Sequence, residues 1–273
     1  MRARIFQVDA FTRTLFGGNP AAVVPLETWP SDETLIAIAA ENNLAETAFL
    51  VPARDNPEAD FHLRWCTPTV EVALCGHATL AAAWVLRNRL GFKGERVRFT
   101  CKSGLIAAAY EGDQVVLDFP RIDPVPCDVP PMLGGALGGS SREVHMTRQR
   151  VNADGVLFAV FASEAEVRAL KPDFARLKTI GGGCVCATAP GDSCDFVSRF
   201  FAPGAGIDED PVTGSTHCVL TPYWAAKLGR NRLEARQISP RGGELTCELR
   251  GERVAIGGHA APYLEGTIDV PER

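Results

Sequence analysis

The sequence predicts an α+β protein made of two similar halves, in which strands outnumber helices. The order strand, helix, strand, strand, loop, helix, strands occurs twice along the 273 residues. A stretch rich in proline and glycine, residues 120–139, separates the two series and is the best candidate for a linker. We therefore expect a first half of residues 1–120, with residues 262–273 as candidates to complete it, and a second half of residues 121–261.

The first half contains two predicted helices among its strands. Ser31 is suited to cap the first helix, whose apolar rows at four-residue spacing run to about Asn43. The second helix begins at Gly76 and runs to about Leu90, where Gly91 ends it. Alternating or continuous apolar residues predict strands at residues 5–11, 21–24, 47–51 and 61–66, followed by strands and hairpins to residue 119.

The second half repeats this plan. Ser163 caps a helical stretch, and a glycine-rich loop leads to a helix that begins at Gly214 and ends near Gly229. Strands are predicted at residues 156–161, 184–188, 196–201, 235–239, 244–249 and 254–259. Because no repeat of short period is present, a solenoid is excluded and the halves are interpreted as a duplicated domain.

Composition narrows the class of function. Hydrophobic residues make up 46% of the chain, and the formal net charge is -5 without a basic stripe, which argues against a nucleic-acid partner. No apolar run reaches the roughly 18 residues of a membrane span, and the first residues lack the pattern of a signal peptide. Nine scattered cysteines, an odd number, fit a reducing compartment. We expect a cytoplasmic enzyme without a membrane partner.

The two glycine-led helix starts are candidate ligand sites. Both Gly76 and Gly214 stand where the first backbone N–H groups of a helix lack partners within the helix. Such groups, together with the helix dipole, bind anions, and glycine permits close approach. If the halves face each other, both starts converge on a pocket between them that suits a small carboxylate. The alternative is that the glycines only permit close packing. The candidate substrate-binding residues are Gly76, Ala78, Thr213, Gly214 and Thr216.

Glu46 is a lone carboxylate in a largely apolar run. Burial without a neighbouring cation would raise the pKa of its carboxyl group toward neutrality, as a general acid/base requires. The alternative is a surface glutamate at the entry to a strand, and composition alone favours that alternative. The matching stretch of the second half, residues 181–184, has no carboxylate, so a catalytic Glu46 would make the site asymmetric.

Other polar residues near the helix starts also have two interpretations. The acids at 208–210 either complement the helix dipole or bind an amine or hydroxyl group of a substrate. His77 and His217 lie in first turns, where a positive charge is disfavoured, and each is either a hydrogen-bond donor or a core residue. Cys184 and Cys186 lack a second pair of ligands at zinc spacing, and there is no phosphate-binding loop or serine elbow. The sequence thus predicts no metal, cofactor or covalent serine chemistry.

Several short blocks together resemble the phenazine-biosynthesis PhzF-like family. Each block is weak alone, but they occur in order across almost the whole chain. They are Val8-Asp9-Ala10-Phe11, Gly18-Asn19-Pro20-Ala21-Ala22-Val23, Asn43-Leu44-Ala45-Glu46-Thr47-Ala48-Phe49, Cys75-Gly76-His77-Ala78-Thr79, Ser198-Arg199-Phe200-Phe201-Ala202-Pro203, Glu209-Asp210-Pro211-Val212-Thr213-Gly214-Ser215 and Gln237-Ile238-Ser239-Pro240-Arg241-Gly242-Gly243.

The resemblance implies a diaminopimelate epimerase-like fold: two pseudo-symmetric halves, each a curled, mostly antiparallel sheet around a central helix. It also implies a homodimer and a cofactor-independent isomerase, whose prototype moves a proton on trans-2,3-dihydro-3-hydroxyanthranilate. Glu46 would be the acid/base, and the family's other site residues fall on His77, Asp210 and Ser215. Ala45, where serine is commoner in this block, is a small departure from the family pattern.

Two other functions stay open. Two-thiol epimerases and proline-racemase-like enzymes share the implied fold and carry a cysteine at each helix start. Here the first start has Cys75, but the second has Thr213, whose hydroxyl is far too weak an acid to complete a thiol pair. A racemase using Cys75 is therefore the alternative enzyme. A non-catalytic protein that binds small carboxylates is the alternative of a different class.

Overall fold

A computed structural model describes residues 1–147 and 156–271 of the chain. The chain divides into two compact units, Met1–Asp118 with Gly257–Arg273, and Phe119–Ile256. Both units combine a mixed sheet with few helices, so the α+β prediction is confirmed. Among the described residues, every helix is too short or too polar to cross a membrane.

In its described residues, the first unit contains nine strands and two helices. Ser31 caps α1 by accepting a hydrogen bond from the Thr34 backbone N–H, and Asn43 ends this helix in a left-handed conformation. The elements are β1 (Arg2–Ala10), β2 (Asn19–Pro25), α1 (Asp32–Asn42), β3 (Glu46–Pro52), β4 (Phe61–Cys66), β5 (Glu71–Val72), α2 (Gly76–Asn88), β6 (Arg96–Cys101), β7 (Gly104–Glu111) and β8 (Gln114–Pro120), with β18 (Ala260–Asp269) from the far end of the chain.

The second unit contains the remaining strands and helices. Its elements are β9 (Val125–Cys127), α3 (Leu133–Leu137), β10 (Glu143–Met146), β11 (Leu157–Val160), α4 (Glu164–Ala169), α5 (Phe174–Leu177), β12 (Val185–Pro190), β13 (Phe196–Ala202), β14 (Ile207–Asp210), α6 (Gly214–Leu228), β15 (Arg232–Gln237), β16 (Gly243–Arg250) and β17 (Arg253–Gly258).

The two units repeat one strand topology. In the first, β18, β1, β2, β3, β4, β6 and β7 are successive neighbours, and only the pairs β2–β3 and β4–β6 are parallel. In the second, β9, β10, β11, β12, β13, β15 and β16 follow the same order, with β11–β12 and β13–β15 parallel. A short extra strand, β5 or β14, pairs with the fifth strand of each series. Six strand pairings of the first unit thus have counterparts in the second unit, in the same order and with the same direction. This correspondence shows that the two units repeat one fold.

Each unit surrounds one central helix. Nine of the thirteen residues of α2 are buried, and the helix contacts β1, β2, β3, β7 and β18. In the second unit α6 is buried along most of its length and contacts β15 and β16. A helix that is apolar on all sides is stable only when other elements enclose it. The strands of each unit therefore hold its central helix in place. The two central helices begin at Gly76 and Gly214, as the sequence predicts.

Pro222 lies inside α6 without breaking the helix. A proline there cannot donate to the carbonyl four residues earlier, which belongs to Cys218. That carbonyl instead accepts a hydrogen bond of 3.2 Å from the Ile122 backbone N–H. The buried acceptor is thus satisfied from outside the helix, and α6 continues to Leu228.

One expectation drawn from local pattern needs correction, and one strand has no local signal. Residues 120–139, predicted as a linker, contain β9 and α3, and Leu133, Ala136 and Leu137 are fully buried in the core of the second unit. Burial of these apolar side chains stabilises an ordered segment in spite of the surrounding glycines and prolines. The strand β18 was not predicted, because Pro262 and Gly266 interrupt its alternation.

Candidate active site

The start of α2 carries the chemical groups of the first unit. Cys75 occupies the N-cap in an extended conformation, and its side chain makes no capping hydrogen bond. The first turn, which includes Gly76 and His77, contains no acidic residue. The partial positive charge of the helix N-terminus is therefore not offset by a carboxylate of its own first turn. This end of α2 favours an anionic ligand.

Glu46 is the first residue of β3 and lies beside this helix start. The parallel neighbour β2 places Ala21 opposite Glu46. The Glu46 side chain keeps 19% of its surface exposed, and its Oε2 atom lies 3.3 Å from Nε2 of His77. The His77 Nε2 atom makes no hydrogen bond within the described part of the chain, so the contact is close without ideal alignment. The Glu46 carboxylate is thus near a buried ring and still reachable.

The His77 ring is neutral near pH 7. It is buried, and burial lowers its pKa to about 4 because the charged form loses its hydration. The contact with Glu46 is therefore not an ion pair at neutral pH. His77 can supply one N–H donor from one ring nitrogen and one lone pair from the other.

The thiol of Cys75 contacts the opposite edge of the same ring. Its Sγ atom lies 3.5 Å from Nδ1 of His77. The Cys75 carbonyl accepts a hydrogen bond of 2.5 Å from Oγ1 of Thr79, one turn further along α2. The helix start thus brings a thiol, an imidazole and a carboxylate together, with one ligand atom of each within 4.8 Å of the other two.

The start of α6 in the second unit is organised differently. Thr213 occupies the N-cap, and its hydroxyl donates a short hydrogen bond to the carboxylate of Asp210. Gln237 of β15 accepts a bond of 2.8 Å from the Thr213 backbone N–H through Oε1. Its Nε2 donates to the Asp210 carbonyl at 2.7 Å and to the Thr213 hydroxyl at 3.2 Å. The Asp210–Thr213 segment is therefore held by one fully buried amide.

His217 was interpreted from the sequence as either a hydrogen-bond donor or a core residue. The structure shows that it is a core residue. It is fully buried, its Nδ1 lies 2.9 Å from the Thr213 carbonyl, and its ring lies near the ring of Phe196. Burial lowers the pKa of His217 to about 4, so this ring is also neutral near pH 7.

The predicted site residues thus fall into two groups by unit. Glu46, Gly76, His77 and Ala78 stand together at the start of α2, whereas Asp210, Thr213, Gly214, Ser215 and Thr216 stand at the start of α6. Ser215 is partly exposed in the first turn, while its neighbours Gly214 and Thr216 are buried. Sequence reasoning did not single out Gln237, although it lies in one of the blocks that carry the family resemblance.

Solved structures define the class of fold. The crystal structure of a PhzF-family phenazine biosynthesis protein from Enterococcus faecalis is 44% identical and covers 98% of this chain and 100% of that one, with a TM-score of 0.92. A hydroxyproline epimerase from Agrobacterium vitis is 13% identical over 98% of this chain and 92% of that one, with a TM-score of 0.64, which shows the fold alone. The protein therefore has the epimerase-like fold, as predicted.

The family model and the curated relatives agree with this class of fold. The family model for phenazine biosynthesis-like proteins, PhzC-PhzF, matches residues 8–266. An uncharacterized isomerase of Pseudomonas aeruginosa is 51% identical over 98% of this chain and 99% of its own. The chain belongs to the PhzC-PhzF family of phenazine biosynthesis-like proteins and is an enzyme of the isomerase class. The resemblance drawn from the sequence blocks is confirmed.

Proposed function

We propose that the protein is a cofactor-independent isomerase that moves a proton between carbon atoms of a small carboxylate, with Glu46 as the general acid/base. One observation carries the proposal. The Glu46 carboxylate, partly exposed, lies 3.3 Å from Nε2 of a buried His77 at a helix start that favours an anion.

The neutral state of His77 suits Glu46 to this role. A histidine cation would stabilise the carboxylate and make it a weak base, but burial holds the ring neutral. A neutral ring can still orient the carboxylate or donate one hydrogen bond to the substrate. One carboxylate can take a proton from one carbon and return it to another, provided that the substrate stays bound between the two steps.

The helix starts suggest the class of substrate. The backbone N–H groups of Gly76 and Ala78 at the start of α2 suit the carboxylate group of a ligand. In this proposal, Thr213, Gly214 and Thr216 of the second unit also bind the substrate. Asp210 and Ser215 take part in the catalysed reaction. This part is supported by the repeated topology and the family match. A cyclic dihydro-hydroxyanthranilate-like acid is the first substrate to try, and a role in phenazine biosynthesis is part of the same hypothesis.

The alternative racemase needs an acidic or basic group on each face of the reacting carbon. Cys75 could supply one, and its contact with His77 Nδ1 at 3.5 Å is the observation that favours this reading. However, the low pKa of His77 makes the ring a poor acceptor for the thiol proton. The Thr213 hydroxyl in the corresponding N-cap already donates to Asp210. The single-carboxylate mechanism is therefore preferred.

The proposal is tested by exchange of carbon-bound hydrogen in deuterated water. The purified protein is incubated with a panel of cyclic and amino-acid carboxylates, and deuterium uptake is followed by mass spectrometry. We expect uptake into at least one ligand, accompanied by its isomerisation. Ligands that bind but never exchange would contradict the proposal and support the carboxylate-binding protein instead. Uptake with inversion of an α-carbon would support the racemase.

The expected form of the enzyme is a cytoplasmic homodimer. Both properties remain predictions, the first from the composition and the second from the family resemblance. Light scattering on the purified chain of 29.3 kDa measures the second directly. A mass near twice that value is expected, and a monomer at micromolar concentration would contradict it.

A further inference from the structure

Glu46, Cys75 and His77 together form a set of metal-ligand donors. One ligand atom from each residue can be chosen so that all three lie within 4.8 Å of one another. Within residues 1–147 and 156–271, this is the one such group of three or more side chains. A thiol, an imidazole and a carboxylate are the donors that Zn²⁺ takes in proteins.

The buried ring of His77 is an independent indication of a ligand. Its Nε2 atom has no hydrogen-bond partner among the described residues, although buried polar atoms are rarely left without one. Only 7% of the side chain is exposed, and the ring is placed between Cys75 and Glu46. An imidazole nitrogen with a free lone pair is a common metal ligand in proteins.

The spacing of the donors fits a small tetrahedral ion. Zinc–sulfur and zinc–nitrogen bonds of about 2.3 and 2.0–2.1 Å at a tetrahedral angle put the two ligand atoms roughly 3.5 Å apart. The observed separation of Cys75 Sγ and His77 Nδ1 is 3.5 Å. Glu46 contacts the other edge of the ring, so its side chain has to turn toward the thiol. A Glu46 oxygen already lies within 4.8 Å of the thiol sulfur, so the turn required is short.

We propose that these three residues bind a soft divalent cation, Zn²⁺ or Cd²⁺, and that the bound ion inhibits the enzyme. The ligands are Cys75 Sγ, one ring nitrogen of His77 and a Glu46 oxygen, and water fills the fourth position. On binding, the Cys75 S–H bond breaks, the sulfur keeps its electron pair for the metal, and the proton leaves to solvent. The inhibitory part rests on the proposed function, because it depends on Glu46 as the acid/base. The ion is an inhibitor and not a cofactor of the reaction.

Cadmium binding is the test that needs no substrate. The full-length protein, reduced and stripped with a chelator, is titrated with Cd²⁺ while the ultraviolet cadmium–thiolate band is recorded. We expect Cys75→Ser to lose this band at low Cd²⁺ and Glu46→Gln to weaken binding by roughly 10- to 100-fold, which is what loss of an outer-shell partner alone can cost. Cys101→Ser is the matched control, since that partly buried thiol lies at the end of β6, and it should bind like the parent. An unchanged band in Cys75→Ser overturns the proposal.

Inhibition is measured separately on an exchanging substrate. Zn²⁺ should suppress deuterium uptake by the parent protein, and a chelator should restore it. Cys75→Ser should need at least 10-fold more Zn²⁺ for the same inhibition. Cadmium binding without any exchange activity would leave the metal site standing and refute the proposed function. Equal Zn²⁺ sensitivity of the parent and Cys75→Ser would refute the inhibitory role.

Discussion

The two central helices begin in the same topological position but with different chemistry. At the start of α2, reactive side chains lie close together: Cys75 and Glu46 both contact the ring of His77. At the start of α6, the polar groups of Asp210 and Thr213 are used in hydrogen bonds with each other and with Gln237. The two units therefore share the backbone arrangement at these helix starts but differ in the contacts between their polar side chains.

Because of this difference, we assign the acid/base to one helix start and a rigidly held binding segment to the other. The first helix start holds a carboxylate whose neighbour carries no charge at neutral pH. The second is fixed by an amide from β15, which lies 24 residues further along the chain than Thr213. We interpret the first as the place of the acid/base Glu46 and the second as a rigidly held element that presents Asp210 and Ser215 to the substrate. Four predictions test this division.

The largest effect is expected at Glu46. Glu46→Gln keeps the shape of the side chain but cannot take up a proton, so the rate of deuterium exchange should fall on the order of 100-fold or more with ligand affinity largely kept. Steady-state exchange rates and ligand titrations measure the two quantities. Glu41→Gln, at an exposed position of α1, is the control and should behave like the parent. An active Glu46→Gln would show that the acid/base is another group.

The next effect concerns the stability of the second helix start. Gln237→Leu removes the donor to the Asp210 carbonyl and the acceptor for the Thr213 N–H. The first of these hydrogen bonds is partly buried and the second is buried. Leaving two such groups without partners should lower the free energy of unfolding by about 3 kcal/mol. Urea unfolding measures this change, with Gln7→Leu on the half-buried β1 as control. A loss below 0.5 kcal/mol, within the usual range of surface substitutions, would show that the amide does not fix this segment.

A smaller effect is expected from acid. The pKa of His217 is lowered from 6.5 to about 4 in the folded protein, so the unfolded chain binds the extra proton between these values. Stability is therefore complete above pH 6.5 and falls as the pH drops toward 4, by about 2 kcal/mol for this residue at pH 5. Urea unfolding at pH 7.5 and pH 5 should show a shallower loss in His217→Gln. The same substitution at the partly exposed His62 serves as control, and an equal slope in all three proteins would contradict the assignment.

The smallest effect is expected at Cys75. Cys75→Ser keeps a small polar side chain at the N-cap of α2, and if Glu46 is the acid/base, exchange should stay within a few-fold of the parent rate. The same assay as for Glu46 provides the measurement. An inactive Cys75→Ser together with an active Glu46→Gln would reverse the assignment and return the racemase to first place.

Much of this architecture could be predicted from local sequence. Both helix starts were found from their glycines, and Ser31 and Asn43 marked the ends of α1, because caps and turns depend on a few neighbouring residues. The family blocks supplied the fold. The helix α3 was missed because short buried helices among prolines and glycines have no periodic signal.

The contacts within the candidate site were harder to foresee. Glu46 and His77 are 31 residues apart, and Gln237 is 24 residues from Thr213, so only the folded sheet brings each pair together. The neutral state of His77 depends on burial by α2 and its surrounding strands, which no single segment encodes. The interpretation of His217 stayed open for the same reason, until the structure placed it in the core.

The last strand of the chain has a consequence for biosynthesis. Because β18 pairs with β1, the first unit cannot finish its sheet until the ribosome has translated the whole second unit. The equivalent strand of the second unit, β9, precedes its partner β10 with only α3 between them. At 5–20 residues per second, β1 waits roughly 13 to 50 seconds with one edge open. The nascent chain is thus exposed to mispairing at β1 during that interval, although the N-terminal half is made first.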